Sequence, residues 1–464
     1  MDGPTPPLDV AIIGGGISGL TAARELCARG CRVRLFERAP RCGGLIETDR
    51  VDGFVIDTGP DTLLAHKPAA LALVKELGLE ADLVSPLAVR TTYVVRGGVL
   101  RSLPETSALG LPTGWRTVVT ARAFSMRGRL RMAAEAFLPA HPPEGDESIG
   151  SFVRRRFGRE AEACVAEPVL AGLHRGDAWR LSLQALFPIL ARAEREHGSV
   201  ARAWRRMPAR TGGGSLSLRQ GLEAIPARLL AGLPPDVVRT GAAVARIEGG
   251  GTYRIVFEDA SAVTARAVLL ATPAHASARM LEWTDPRLSR ACASIAYRTA
   301  ITVALGYRSS ALTRPLEGWG FVVPAGERRH VRSASWVTSK WPGRAPRGCT
   351  LLRLSLHGDD VTLLRSDASL VTAAHDDIRR LLAITGDPIL ARVYRRPLAM
   401  PQLEVGHLER MATIDAALAE RPGLFLSAAG FRGVGLPDCI ADARVAAGRA
   451  AEFAAGQPPA SSAA

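Results

Sequence analysis

The sequence predicts an α/β fold, with a discontinuous nucleotide-binding domain interrupted by a mixed-sheet domain and a helical subdomain. Three observations predict it. A glycine-rich turn, Gly14-x-Gly16-x-x-Gly19, sits between an apolar run and a helical segment near the start of the chain. An acidic residue, Glu37, closes the next strand-like run, about 20 residues past the turn. Both ends of the chain read as nucleotide-domain material, with helix-rich and strand-rich stretches between them.

Taken in order, Asp9 to Ile13 reads as a buried strand, Ile17 to Arg29 as a helix stopped by Gly30, and Arg32 to Phe36 as the second strand. Together they have the length of a βαβ unit. A loop at Arg41 to Gly44, an extended pair through Phe54 to Asp57 and a helix from Pro68 to Leu77 come next, with Gly78 at its end. From about Tyr93, Pro, Arg and apolar residues mix, and we read helical pieces, then a helix-rich stretch to about Met207. Thr211 to Leu218 is a break, and Arg219 to Leu233 is helical. Gly241 to Ala271 is strand-rich, with a hairpin turn at Gly249 to Gly251, and a second strand-rich region spans 295–400. The chain closes with a strand, Gly423 to Gly430, a glycine-rich turn, Phe431 to Cys439, and a helix from Ile440. The implied division is 1–92, 211–285 and 403–455 for the nucleotide domain. The helical and substrate-binding part takes 93–210, a substrate sheet takes 286–402, and 456–464 is a small, polar, disordered tail.

A chain of 464 residues exceeds one small core. Its 47% hydrophobic and 22% charged residues are those of a globular protein. The net charge of +14 comes almost wholly from Arg. Such an excess suits nucleic acid, anionic lipid or a polyanionic small molecule; a coding bias toward Arg explains it equally well. No nucleic-acid recognition motif is present, so no nucleic-acid partner is expected. The seven Cys are odd in number and form no C-x-x-C pair, a reduced, cytoplasmic pattern with no metal site. The N-terminus lacks a charged region followed by an apolar one, so no signal peptide is expected. No apolar run reaches the roughly 18 residues of a membrane span.

In the turn, Gly14 permits the sharp bend, Gly16 lets backbone approach a pyrophosphate, and Gly19 lets helix and strand pack closely. Gly15, Ile17 and Ser18 complete it and present N–H groups at the helix start. Glu37, followed by Arg38, can accept bonds from ribose hydroxyls. The segments beyond Arg38 separate the two common dinucleotides. Arg41-x-Gly43-Gly44 resembles the second signature of the amine-oxidase-like FAD enzymes, and Ala429-Gly430 with Val434-Gly435-Leu436 resembles their closing motif. The resemblance implies that FAD is the cofactor, that the Gly59-Pro60-Asp61-Thr62 loop lies on the flavin side, and that the backbone of Val244 meets the adenine. No second dinucleotide loop is present, so a separate nicotinamide site is not expected and the expected oxidant is O₂ or another acceptor.

Further segments resemble the bacterial coproporphyrinogen III and protoporphyrinogen IX oxidase family. They are Gly59-Pro60-Asp61-Thr62 followed by Lys67, Gly110 to Thr113, Glu167-Pro168 through Gly176-Asp177, and Leu181-Ser182 through Phe187-Pro188. Glu196-His197, Ala271 to Ala274, Gly320 to Pro324 and Ser339-Lys-Trp-Pro-Gly343 belong with them. Met400-Pro-Gln402, Gly406-His407-Leu408 and Gly433 to Cys439 complete the set, which runs in order over almost the whole chain. The resemblance implies a six-electron oxidation of a porphyrinogen to a porphyrin in haem biosynthesis, with the flavin as hydride acceptor and no side-chain catalyst. Gly435-Leu-Pro-Asp-Cys439 and Ser339-Lys-Trp341 resemble the coproporphyrin-forming branch, and a ferrochelatase is the expected recipient of product. Protoporphyrinogen IX, an amine or carotenoid substrate, and a non-catalytic flavoprotein are the competing readings.

On the substrate side the resemblance points to Lys67, Gly172, Leu173, His174, Arg175, Trp319, Phe321 and Val322. A solvated helix-start lysine is the other reading of Lys67. His174 and Arg175 depart from the family's aromatic-Ala; Arg175 either pairs a propionate or is a surface change. Trp319, Phe321 and Val322 either wall the slot or fill a core. His197 and His407 read as structural hydrogen-bonders, and Asp438 as a helix-start acid. Arg116, Arg122, Arg127, Arg129 and Arg131 read as a solvated helical face, with peripheral contact on an anionic membrane as the alternative.

Overall fold

A computed structural model describes residues 7–87, 91–103, 107, 108, 111, 112, 118, 121, 123–140, 142–206, 214–358 and 360–456. Gly110, Thr113, Arg116, Arg122, Gly212, Gly213 and the tail from 457 onward lie outside them.

The glycine turn joins strand β1 (Leu8–Ile13) to helix α1 (Ile17–Ala28), which leads to strand β2 (Val33–Phe36). Val10 to Ile12 are fully buried, as expected for a central parallel strand covered on both faces. Gly30 ends α1 in a left-handed conformation (φ +76°). The N–H of Cys31 reaches Leu26 O at 3.1 Å and that of Gly30 reaches Cys27 O at 3.0 Å, the paired bonds that close a helix on a glycine.

The nucleotide sheet is assembled from distant segments. β1 pairs in parallel with β2 on one side and with Ala262–Leu270 on the other. Val238–Arg239 extends the sheet beyond β2. Ala262–Leu270 carries an antiparallel hairpin on its first half, made by Val244–Gly249 and Tyr253–Phe257, and pairs in parallel with Leu424–Leu426 on its second. The closing helix Leu436–Ala454 packs on α1 through an alanine-rich face that includes Ala446, Ala447, Ala450 and Ala451.

A second, mixed seven-stranded sheet is built around Ala296–Arg308, flanked by Cys349–Leu356 and Leu390–Gln402. Its far edge is Thr92–Arg96 and Val99–Ser102, so this part of the stretch expected to be helical is strand. Pro and Arg there mask the alternation, and the parallel partner Gly320–Val322 lies far along the chain. The helix Pro286–Ala293, assigned by sequence to this sheet domain, packs instead into the nucleotide-side core through Leu288 and Cys292. The helical segment in Arg219 to Leu233 is shorter than expected, Ala224–Ala231, and Ser215–Leu218 before it is a strand.

One face of the second sheet packs on helix Asp367–Leu382 through residues such as Val303, Leu305, Leu352 and Leu354. Strand alternation turns Thr302, Ala304, Arg353 and Ser355 the other way. That face meets the nucleotide domain: Arg353 bonds Gly59 O at 2.6 Å, and Tyr394 Oη bonds Asp49 at 2.7 Å.

The helical subdomain is pinned by a buried ion cluster. Glu135 accepts from Arg156, from Ser199 Oγ at 2.6 Å, and from the N–H groups of Val200 and Ala201 at 3.0 Å each. It therefore caps the helix Val200–Arg206 and neutralises a guanidinium that also bonds Glu194. Glu135, Arg156 and Glu194 are each at most 1% exposed. Removing one partner of such a cluster strands the other charge. We expect Glu135→Ala to destabilise this subdomain by about 3–5 kcal/mol. Urea unfolding followed by circular dichroism checks it, and an unchanged midpoint contradicts the assignment.

Candidate active site: the crevice between the two sheets

The glycine turn is shaped from both sides. Gly14 has φ +108°, and a Cβ on Gly19 would lie 1.9 Å from Gly14 O, so α1 starts directly against the turn. A Cβ on Gly16, by contrast, meets nothing within 4 Å. No side chain caps α1, so its first N–H groups and positive dipole end face that open space. Ile17 and Ser18 supply that first turn, and Ser18 Oγ approaches Cys439 O at 3.5 Å, which brings in the start of the closing helix. That helix is also without a side-chain cap, at Gly435, after the turn in which Gly430 N–H bonds Gly433 O. Val434 and Leu436 flank this second bare helix end.

Glu37 sits beside the turn and accepts from Gly15 N–H at 2.6 Å and Ala39 N–H at 2.8 Å. Arg38 next to it is exposed. Gly43 N–H bonds Gly15 O at 2.8 Å, which brings the Gly43-Gly44 turn alongside Gly16. Arg41 holds that turn, donating to Gly44 O at 2.9 Å and pairing with Glu47 at 3.4 Å. Val244 opens its strand and is half-buried. Two uncapped helix ends, open space at Gly16 and a carboxylate at the end of β2 fit the diphosphate and ribose of FAD.

The Gly59-Pro60-Asp61-Thr62 loop carries a dense charge cluster. Lys340 Nζ donates to Thr62 Oγ1 at 2.8 Å, stands 3.8 Å from Asp61, and lies 5.4 Å and 4.8 Å from the Trp319 and Trp341 ring centres. Both ring contacts are cation–π pairs. Arg353 stands 3.4 Å from the same carboxylate. Burial alone raises the Asp61 pKa, but Lys340 and Arg353 overcome it and hold the carboxyl well below its ordinary value. Burial lowers the Lys340 pKa, with Asp61 opposing it. Arg344, 1% exposed, pairs with Asp57 at 3.0 Å.

The residues expected on the substrate side come to this region from several directions. A π-helical segment, Glu162–Ala171, delivers the Gly172-Leu173-His174-Arg175 loop; such segments recur at functional sites. Glu167 anchors it by accepting from Ala325 N–H at 2.9 Å and pairing with Arg332. Gly172 and Leu173 are exposed, Leu173 at 62%. His174 packs edge-on to Phe187, and burial, then the charge of Lys67, lowers its pKa to about 4, so the imidazole is neutral. Lys67 stands just before helix Pro68–Glu76 and pairs with both oxygens of Asp438 at 2.7 Å. It is thus a tethered cation rather than a free solvated lysine. Asp438, in the first turn of the closing helix, spends its carboxylate on Lys67.

Trp319 and Val322 line this side of the second sheet, Val322 against the helical subdomain. Phe321 does not wall a slot. Alternation along Gly320–Val322 turns it into the opposite core, where it is 1% exposed. His407 is buried and bonds Phe431 O at 2.8 Å through Nε2, a structural role. His197 lies at the C-terminal end of the helix Pro188–His197. Sequence reasoning misses Lys340, Arg344 and Arg353 as candidate site residues. Arg353 does leave a signal, a lone cation amid the apolar run Cys349–Leu356.

Comparison with known proteins agrees with this geometry. Residues 17–451 match the model of the flavin containing amine oxidoreductase family. The chain is 33% identical to the coproporphyrinogen III oxidase of Bacillus subtilis (strain 168), covering 94% of this chain and 96% of that protein. It is 32% identical to that of Propionibacterium freudenreichii subsp. freudenreichii, covering 97% and 92%. A crystal structure from Exiguobacterium sp. 255-15 superposes with a TM-score of 0.86 at 28% identity, covering 98% of this chain and all of that one. The chain belongs to the flavin containing amine oxidoreductase family. It is a flavin-dependent oxidoreductase, and its cofactor is FAD.

The open space at Gly16 yields a direct prediction. Gly16→Asp places a carboxylate where the diphosphate belongs. The purified variant is expected to lack the flavin absorption of the wild type, and a yellow variant with one flavin per chain contradicts the cradle.

Proposed function

We propose that this protein oxidises coproporphyrinogen III to coproporphyrin III in haem biosynthesis, with O₂ as the final acceptor and three molecules of peroxide as by-product. The near-full-length relation to the coproporphyrinogen III oxidases carries this reading. FAD, when bound, supplies the two-electron acceptor for each of the three steps.

The chain's own residues orient the substrate and shape its surroundings. The 172–175 loop and the inner face of the second sheet enclose the crevice, while Gly59 to Thr62 set its nucleotide side. Lys67 offers an ammonium group to a propionate, and Asp438 keeps it aimed. His174, neutral through burial, adds wall without charge. No side chain is assigned as a strong base, since the aromaticity gained drives loss of the protons.

The structure has no described helix long and apolar enough to cross a membrane. Met126, Leu130 and Phe137 are exposed at 67%, 64% and 87% beside Arg127 and Arg131. We place peripheral contact with an anionic membrane there, from the cytoplasmic side. The metal-free product suits direct transfer to a ferrochelatase.

Initial rates of porphyrin fluorescence with coproporphyrinogen III and protoporphyrinogen IX, with peroxide measured in parallel, test this reading. A faster rate on the tetracarboxylate is expected; a faster rate on the dicarboxylate overturns the substrate assignment, and oxidation of neither overturns the function. Lys67→Ala is expected to retain FAD and raise KM for the preferred porphyrinogen by about fivefold, the scale of one partly exposed charge pair. Unchanged kinetics remove Lys67 from the site.

A further inference from the structure

Arg175 is a guanidinium on the inner face of the second sheet, with no anion paired to it among the described residues. Its Nη1 donates to Ile301 O at 2.9 Å and its Nη2 to Thr302 Oγ1 at 3.0 Å, both neutral acceptors. Among the described residues no carboxylate pairs with it, and the charge acting on it is another cation, Arg353. Burial, then that charge, lowers its pKa to about 10, yet the group stays protonated at neutral pH and partly open to solvent.

Two further observations make this more than a stray arginine. Its backbone is left-handed (φ +51°), a conformation uncommon for a residue with a Cβ. Among the described residues, the ion pairs of Lys340, Arg344 and Arg353 here go to two carboxylates, Asp57 and Asp61, and Arg175 adds a fourth cation. Lys67 and Asp438 neutralise each other and contribute no spare anion.

We propose that Arg175 and Arg353 together bind one carboxylate of the substrate, between strand Ala296–Arg308 and the Gly59 loop. The placement supports this. Arg175 is tied to the strand by Ile301 and Thr302, and Arg353 to the loop by Gly59 O at 2.6 Å. A guanidinium with two neutral acceptors keeps donors free for the paired oxygens of a carboxylate. An arriving anion also relieves the repulsion between the two cations, so binding strengthens as the crevice desolvates. Under the proposed function, on which the identity of the substrate rests, the carboxylate is a porphyrinogen propionate.

The test uses FAD-loaded enzyme and two variants, Arg175→Gln and Arg175→Lys, whose flavin content reports folding. Arg175→Gln is expected to raise KM for coproporphyrinogen III and weaken coproporphyrin III binding by about tenfold, with kcat within about twofold, the scale of one charge-assisted hydrogen bond. Arg175→Lys is expected to recover part of the loss. Glutarate binding to the same proteins, followed by calorimetry, gives a readout independent of turnover, with weaker binding expected in Arg175→Gln. If the wild type oxidises no porphyrinogen but glutarate binding depends on Arg175, the functional reading falls and the carboxylate site stands. If the wild type is active and Arg175→Gln matches it in KM, porphyrin affinity and glutarate affinity, the carboxylate site falls and the functional reading stands.

Discussion

The nucleotide domain depends on the parallel pairing of Leu8–Ile13 with Ala262–Leu270. The second strand is the seam of the molecule. Its first half supports the antiparallel hairpin, its second half takes Leu424–Leu426, and Ala271 beyond its end abuts the glycine turn. A Cβ on Gly14 would stand 2.6 Å from Ala271 O. The cradle is thus completed by residues more than 250 positions downstream of the motif that announces it. A parallel pair needs a crossover connection, and here that connection contains inserted parts of the chain.

That topology also explains where the charges lie. The inserted sheet meets the nucleotide domain along a seam of backbone loops, Gly59 to Thr62 on one side and the polar face of Ala296–Arg308 and Cys349–Leu356 on the other. Loops carry backbone oxygens left unpaired, whereas those inside helices and strands are already bonded, and Arg353 spends part of its guanidinium on one of the loop oxygens. Asp61 ties the seam together because two cations from the inserted sheet domain converge on it. The same carboxylate therefore holds the Gly59 to Thr62 loop against the inserted sheet domain.

How much is legible in the sequence depends on which interactions are local. The βαβ unit, the glycine turn, Glu37 and the Gly30 stop are set by residues within a few dozen positions, and their periodicity and turn chemistry show directly. Thr92–Ser102 escapes such a reading because its strand character depends on a partner at Gly320–Val322 and its own residues are mixed. Phe321 takes the core alternative of its two readings, because period-2 alternation turns it to the face opposite Val322. Lys67 is marked by a motif, but its tether to Asp438 joins residues 371 positions apart, a distance at which no pattern in the chain speaks.

Net charge explains less than placement. The +14 excess first suggests a protein that attracts anions as a whole. Exposed charges, however, are screened within about 8 Å at physiological ionic strength, and many surface arginines here face a carboxylate. The field that matters comes from groups the fold removes from water. The chain holds only three lysines, and two of them, Lys67 and Lys340, stand at the crevice. A compact ammonium fits between the Trp319 and Trp341 rings while reaching Thr62, whereas the planar fork of an arginine demands coplanar acceptors. In a chain that otherwise uses arginine, the space between these two rings favours lysine at position 340.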